Sequence, residues 1–197
     1  MSESSMALAP SEPAAPAEPS SAEKRVQQMY EEHAAMVWRG LRRLGVHDAS
    51  LEDAVQDVFL VAHRRLADFK GRSSLKTWLY GIVVRVAKDH RRNQARQAYR
   101  AERLAQGLSV SPDNSSSPAG MAEQREANQA LHAILESLDE EQREVLIMVE
   151  LEDFSVREAA AALALRVRTC QRRLKAAHAA FEKRFALYRQ SPERNKS

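Results

Sequence analysis

One cysteine, Cys170, in 197 residues excludes an intramolecular disulfide and a cysteine-rich metal site. No apolar run approaches the length that spans a bilayer, and the N-terminus lacks the basic-then-apolar pattern of a secretory signal. A cytoplasmic protein without membrane insertion is the expectation. Glycine is scarce, with six residues, and none of them builds a phosphate-cradling loop; HExxH is also absent. His33, His47, His63, Asp48, Asp53 and Asp57 are the obvious candidate metal ligands, yet Asp53 and Asp57 lie one helical turn apart with no matching histidine pair. We therefore expect no enzyme, no cofactor and no metal. Strand-like alternation of useful length is missing, which points to an all-α chain.

An excess of one charge is missing too. The formal net charge is only +3, although 29% of residues are charged. Distribution says more than the sum. Cations gather at 85–96 and 166–175, and acids gather at 52–57 and 139–144.

Residues 1–22 are mostly Ala, Pro, Ser and Glu, and cannot bury enough apolar surface to offset ordering entropy. They are expected to be a disordered tail, as are 190–197. The stretch 106–120, containing SVSPDNSSSPAG, has the turn-rich composition of a flexible linker. Two small helical domains follow from this, 23–98 and 122–189, joined by a linker over 99–121. Such a layout suits a protein that grips a large partner at two points.

The segment 155–185, SVREAAAALALRVRTCQRRLKAAHAAFEKRF, contains the clearest local signals. Ser155 and Glu158 have capping-box spacing. A short Ala-rich helix to about Leu163 is expected, then a turn. Val167, Cys170, Leu174, Ala177, Phe181 and Phe185 recur at helical spacing, while Arg168, Thr169, Arg172 and Lys175 project from the other side. A helix-turn-helix lays its recognition helix in the DNA major groove in this way. Cys170 falls on the packed side and reads as core rather than as a redox sensor.

In the first domain, Ser50 and Asp53 offer a weaker capping box. Leu51, Ala54, Val55, Val58, Phe59, Ala62 and Leu66 share one helix face; Asp53, Gln56, Asp57, Leu60 and Arg64 share the other. Leu60 is thus expected to be exposed among acids and amides, either as an incidental surface leucine or as the anchor of a docking face. The segment FKGRSSLKTWL at 69–79 reads as a loop ending in a helix cap. Leu75, Leu79, Ile82, Val83 and Val86 make the next buried stripe, with Thr77, Tyr80, Val84, Lys88 and Arg91 facing away. Rings beside cations suit single-stranded nucleic acid, although Trp78 and Tyr80 also fit as half-buried packing residues.

Together these segments resemble the extracytoplasmic-function (ECF) group of bacterial RNA polymerase sigma factors. LEDAVQDVFLVAHRRL at 51–66 is similar to the family's core-polymerase-binding helix. FKGRSSLKTWL is similar to its loop that captures an unstacked promoter base, WLYGIVVRVAKDHRR at 78–92 to its −10-binding helix, and 135–185 to its −35-reading domain. The resemblance implies that Asp53, Gln56, Asp57 and Leu60 contact core RNA polymerase at the β′ clamp helices. It implies −10 DNA contacts from Lys70, Arg72, Ser73, Ser74, Trp78, Arg85, Lys88, Arg91 and Arg92. It also implies −35 contacts from Arg166, Arg168, Thr169, Arg172, Arg173 and Lys175, a β-flap contact by the second domain, and an anti-sigma factor as a further partner. Val84 and Arg85 stand where the family often has Arg followed by Asn. Ala164 and Arg168 stand where it commonly has Gly, which implies an atypical −35 sequence. An ordinary helix-turn-helix repressor or activator is the alternative, but it leaves 69–92 without a purpose.

Overall fold

The computed structural model describes residues 21–105 and 122–190; residues 1–20, the linker stretch 106–121 and the tail 191–197 lie outside them. The helices are α1 (Ser21–Arg43), α2 (Leu51–Arg65), α3 (Leu75–Ala105), α4 (Ala122–Glu136), α5 (Glu140–Leu146), α6 (Val156–Ala162) and α7 (Val167–Gln190). Short 3-10 turns at Asp48–Ser50 and Leu66–Asp68 bracket α2, and a π turn at Ile147–Leu151 extends α5. Among the described residues there is no strand.

The first three helices pack against one another, and α1 contributes Met29, Met36, Val37 and Leu41 to their core. The α2 stripe is buried as its spacing predicts from Leu51 to Ala62, and Leu66 is half-buried at its end. Each fully buried leucine-sized side chain contributes about 2 kcal/mol. Ser50 does not cap α2. The preceding 3-10 turn gives it φ −112°, ψ 6° in place of the extended backbone that aims a cap side chain at the second and third helix amides. The α3 helix runs 31 residues, past residue 98 to Ala105.

In the second half, α7 packs across α5 and α6. Ser155 begins α6 with a complete capping box: its Oγ accepts from the Glu158 amide at 3.2 Å, and its own amide donates to Glu158 Oε2 at 2.9 Å. Arg143 binds the end of α4. Its Nε donates to the Leu135 carbonyl at 2.7 Å, and Nη2 donates to Glu136 and Leu138 carbonyls at 2.8 and 3.1 Å. Those carbonyls are among the acceptors a helix end leaves unmet.

The two halves do not stand apart; one continuous buried cluster runs through both. The π turn makes this possible. Glu152 and Phe154 amides reach back to Ile147 and Met148 carbonyls, at 3.1 and 3.0 Å, so the chain turns both side chains toward the first half. The outward face expected for α3 is corrected here. Thr77, Tyr80 and Val84 are 1%, 0% and 7% exposed, because the second half covers them. Tyr80 meets Phe154 ring to ring at 4.9 Å.

Candidate functional site

The polar face of α2 is presented as its periodicity predicts. Asp53, Gln56 and Asp57 are exposed, and Leu60 is 45% exposed between them. Asp57 is tethered, its Oδ2 lying 2.8 Å from Nε2 of His90 on α3. Beside this face is a groove of about 720 Å³, lined by Tyr30, Trp38, Val55, Phe59 and Leu60 among others. Sequence reasoning missed Tyr30 and Trp38. Both are exposed aromatics of α1, interleaved with its buried Met29, Met36 and Val37, so apolar spacing alone did not separate them from the core. Tyr30 rests on Phe59 at 4.7 Å, so the groove floor is aromatic.

The loop before α3 turns at Gly71, whose φ of +66° is in the left-handed region that glycine adopts without strain. Lys70, Arg72 and Ser74 are exposed and Ser73 is half-buried. Ser74 caps α3, its Oγ accepting from the Thr77 amide at 3.1 Å. Trp78 is half-buried and tilts against Phe69 at 5.4 Å, closing one wall of the loop.

Further along α3, Arg85 and Arg92 are exposed. Lys88 and Arg91 are half-buried and share one partner, Glu140 of the second half, at 3.0 and 3.3 Å. Lys76 was not singled out from sequence. Its Nζ donates to the Glu152 carbonyl at 3.0 Å and lies 4.3 Å from the Phe154 ring centre. Tyr80 is walled in so completely that burial, then Glu152, pushes its hydroxyl well above the ordinary tyrosine range. That hydroxyl has no hydrogen-bond partner.

Arg166, just before α7, and Arg168, Arg172 and Lys175 on it are exposed and Thr169 is half-buried, while Cys170 and Ala177 are fully buried behind them. Arg173 is drawn off this face into an ion pair with Glu141 at 2.6 Å. Burial pushes the Cys170 thiol up, which keeps it protonated and inert. Two ends of the expected apolar stripe, Val167 and Phe185, are exposed instead. The first turn of α7 contains no acid, although a helix N-terminus is positive and favours one. Cations crowd that end instead, so an external polyanion would relieve it. The preceding corner is strained, with Ala164 at φ +53°.

The comparisons with known proteins agree with this layout. Residues 29–97 match the Sigma-70 region 2 family and residues 128–180 match Sigma-70 region 4. The ECF RNA polymerase sigma-E factor of Escherichia coli K12 is 32% identical over 136 residues, covering 66% of this chain and 70% of that protein. The RNA polymerase sigma-H factor of Pseudomonas aeruginosa is 28% identical over 144 residues, covering 70% and 75%. Among solved structures, CnrH in complex with the cytosolic domain of CnrY aligns with a TM-score of 0.62 at 23% identity, covering 85% of this chain and 90% of that one. RpoE from Bartonella quintana, in complex with the anti-sigma factor NepR, aligns at 0.59 and 22%, covering 83% and 98%. These last two show the shared fold. With both sigma regions present in order and a sigma-E relative matched over most of its length, the chain belongs to the ECF sigma factors, the dissociable subunits that direct core RNA polymerase to promoter DNA and start transcription.

Proposed function

We propose that each exposed face has one partner. The α2 face, with Asp53, Gln56, Asp57 and Leu60, docks on the β′ clamp helices of core polymerase, and the neighbouring aromatic groove extends that contact. The loop residues Lys70, Arg72, Ser73 and Ser74, with Trp78, hold an unstacked non-template base. Arg85, Lys88, Arg91 and Arg92 engage −10 DNA, partly through phosphates. Arg166, Arg168, Thr169, Arg172, Arg173 and Lys175 read the −35 duplex, and the second half also meets the β flap. An anti-sigma factor is a further partner, a reading supported by the NepR complex of the Bartonella quintana relative.

The observation that supports this most strongly is the cationic face of α7, whose first turn contains no acid and whose opposite face buries Cys170 and Ala177. No chemistry is needed from the chain itself, because the polymerase forms the phosphodiester bonds. A paired substitution tests the division of labour. Leu60→Asp is expected to abolish core-polymerase binding and leave −35 duplex binding intact. Arg168→Ala with Arg172→Ala is expected to do the reverse. Loss of core binding in the arginine variant means the faces have been exchanged.

A further inference from the structure

We propose that the far end of α3, from Arg96 to Arg103, holds the promoter duplex between the −10 and −35 elements by its phosphates. The proposal rests on the reading of α3 as the −10 helix.

The Sigma-70 region 2 match ends at residue 97, but α3 continues to Ala105. At about 100° per residue, Arg85, Arg92, Arg96, Tyr99, Arg100 and Arg103 fall in one stripe roughly 100° wide. All six are exposed. No acid occurs from His90 to Ala101; Asp89 and Glu102 bound the run. Other α3 cations are already paired, Lys88 and Arg91 with Glu140. Among the described residues, Arg96, Arg100 and Arg103 form no ion pair. Like charges four residues apart, as in Arg92, Arg96 and Arg100, oppose the helix that bears them. A polyanion laid along the stripe turns that repulsion into attraction.

Shape and chain order identify the polyanion. Arg96, Tyr99, Arg100 and Arg103 line an open groove of about 550 Å³, with the Arg103 guanidinium 5.9 Å from the Tyr99 ring centre. Guanidinium forks match phosphate oxygens, and a phenol can donate to them. A single ring offers no platform for stacking successive bases, so a duplex backbone fits better than a single strand. The segment from Arg92 to Arg103 is about 16 Å long, against one phosphate per about 3.4 Å of duplex axis on each strand, so several are within reach. The base-capturing loop lies at the start of α3, and the −35 reader follows α3 in the chain. With −10 contacts along its middle, the far end of α3 points out of the melted region, to paired DNA on the −35 side.

The test uses holoenzyme assembled from core polymerase and the full chain, with a cognate promoter fragment. Arg96→Ala, Arg100→Ala and Arg103→Ala combined are expected to weaken promoter binding about tenfold at low salt, and to lower the slope of log affinity against log salt by about 2.7, for three phosphates. Alanine is a strong helix former and these side chains are outside the core, so the fold is kept. Arg96→Lys, Arg100→Lys and Arg103→Lys combined are expected to keep most of both, because a point charge still meets a phosphate. Methylphosphonates in the spacer beside the −10 element are expected to erase the difference between wild type and the alanine variant. An unchanged salt slope overturns the proposal. So does a difference that survives the methylphosphonates, or an equal loss on a single-stranded −10 non-template oligonucleotide, which puts these cations on the melted strand. Arg85→Ala with Arg92→Ala checks the α3 reading separately. Unchanged binding of that oligonucleotide sinks the reading, whereas a loss there beside an unchanged slope in the triple alanine variant sinks this proposal alone.

Discussion

Arg43 and Glu152, 109 residues apart in sequence, meet at 2.6 Å with the Glu152 side chain only 2% exposed. Arg43 also donates to the Leu151 carbonyl at 2.7 Å, so one guanidinium holds both the π turn and the charge beside it. A buried pair is weak evidence of net stabilisation, but removing Arg43 leaves the buried Glu152 charge with only the more distant Arg39, at 3.6 Å. Arg43→Ala is expected to destabilise by about 3 kcal/mol, and Glu152→Gln by less, because an amide still accepts a hydrogen bond. Urea unfolding of both variants provides the comparison. Equal losses would mean that Glu152 is not held in a dry site.

Ala164 carries the strain of the helix-turn-helix corner at φ +53°, a conformation that costs a residue with Cβ about 1 kcal/mol relative to glycine. Ala164→Gly is therefore expected to stabilise the chain by no more than about 0.5 kcal/mol, because the larger unfolded-state entropy of glycine offsets much of that strain relief. Thermal melting decides it. A lower melting temperature would show that the turn is not strained.

Ser155 and Glu158 predict an acid-sensitive helix start. Hydrogen bonds from the Ser155 side chain, then its backbone, hold the Glu158 carboxyl below its ordinary value. A depressed folded-state value gives stability present above the unfolded carboxylate value and lost as pH falls through the folded one. Ser155→Ala is expected to cost about 1 kcal/mol at neutral pH and much less in acid. A penalty that stays constant from pH 7 to acid would contradict the capping box.

Glu144 predicts the opposite trend. Burial, the largest influence, raises its carboxyl above the ordinary range. Here the protonation-linked stability is complete below the unfolded value and disappears as pH rises through the raised folded one. Glu144→Gln removes that titration. Its stability relative to wild type is expected to increase from acid toward neutral pH, and a difference independent of pH would refute the assignment.

What was legible in the sequence was local. The buried sides of α2 and α7, the exposed Leu60 and the Ser155–Glu158 box all follow from spacing within one element and its first turn. Tyr80 and Val84 were not legible, because what covers them comes from residues far along the chain and depends on the π turn at Ile147–Leu151. Nothing in the helical periodicity signals that turn. Ser50 failed as a cap because the 3-10 turn that it ends holds its backbone away from the extended cap conformation. The candidate site followed the same rule: α7 cations stand where their spacing puts them, whereas Lys88, Arg91 and Arg173 are engaged by acids from another helix.

Promoter-specific run-off transcription with purified core RNA polymerase tests the central claim most directly. The account predicts initiation from a cognate promoter that requires this chain, is lost with Leu60→Asp, and falls sharply with Arg168→Ala and Arg172→Ala together. Duplex DNA binding that persists without any initiation would contradict it, and would leave a helix-turn-helix repressor or activator in its place.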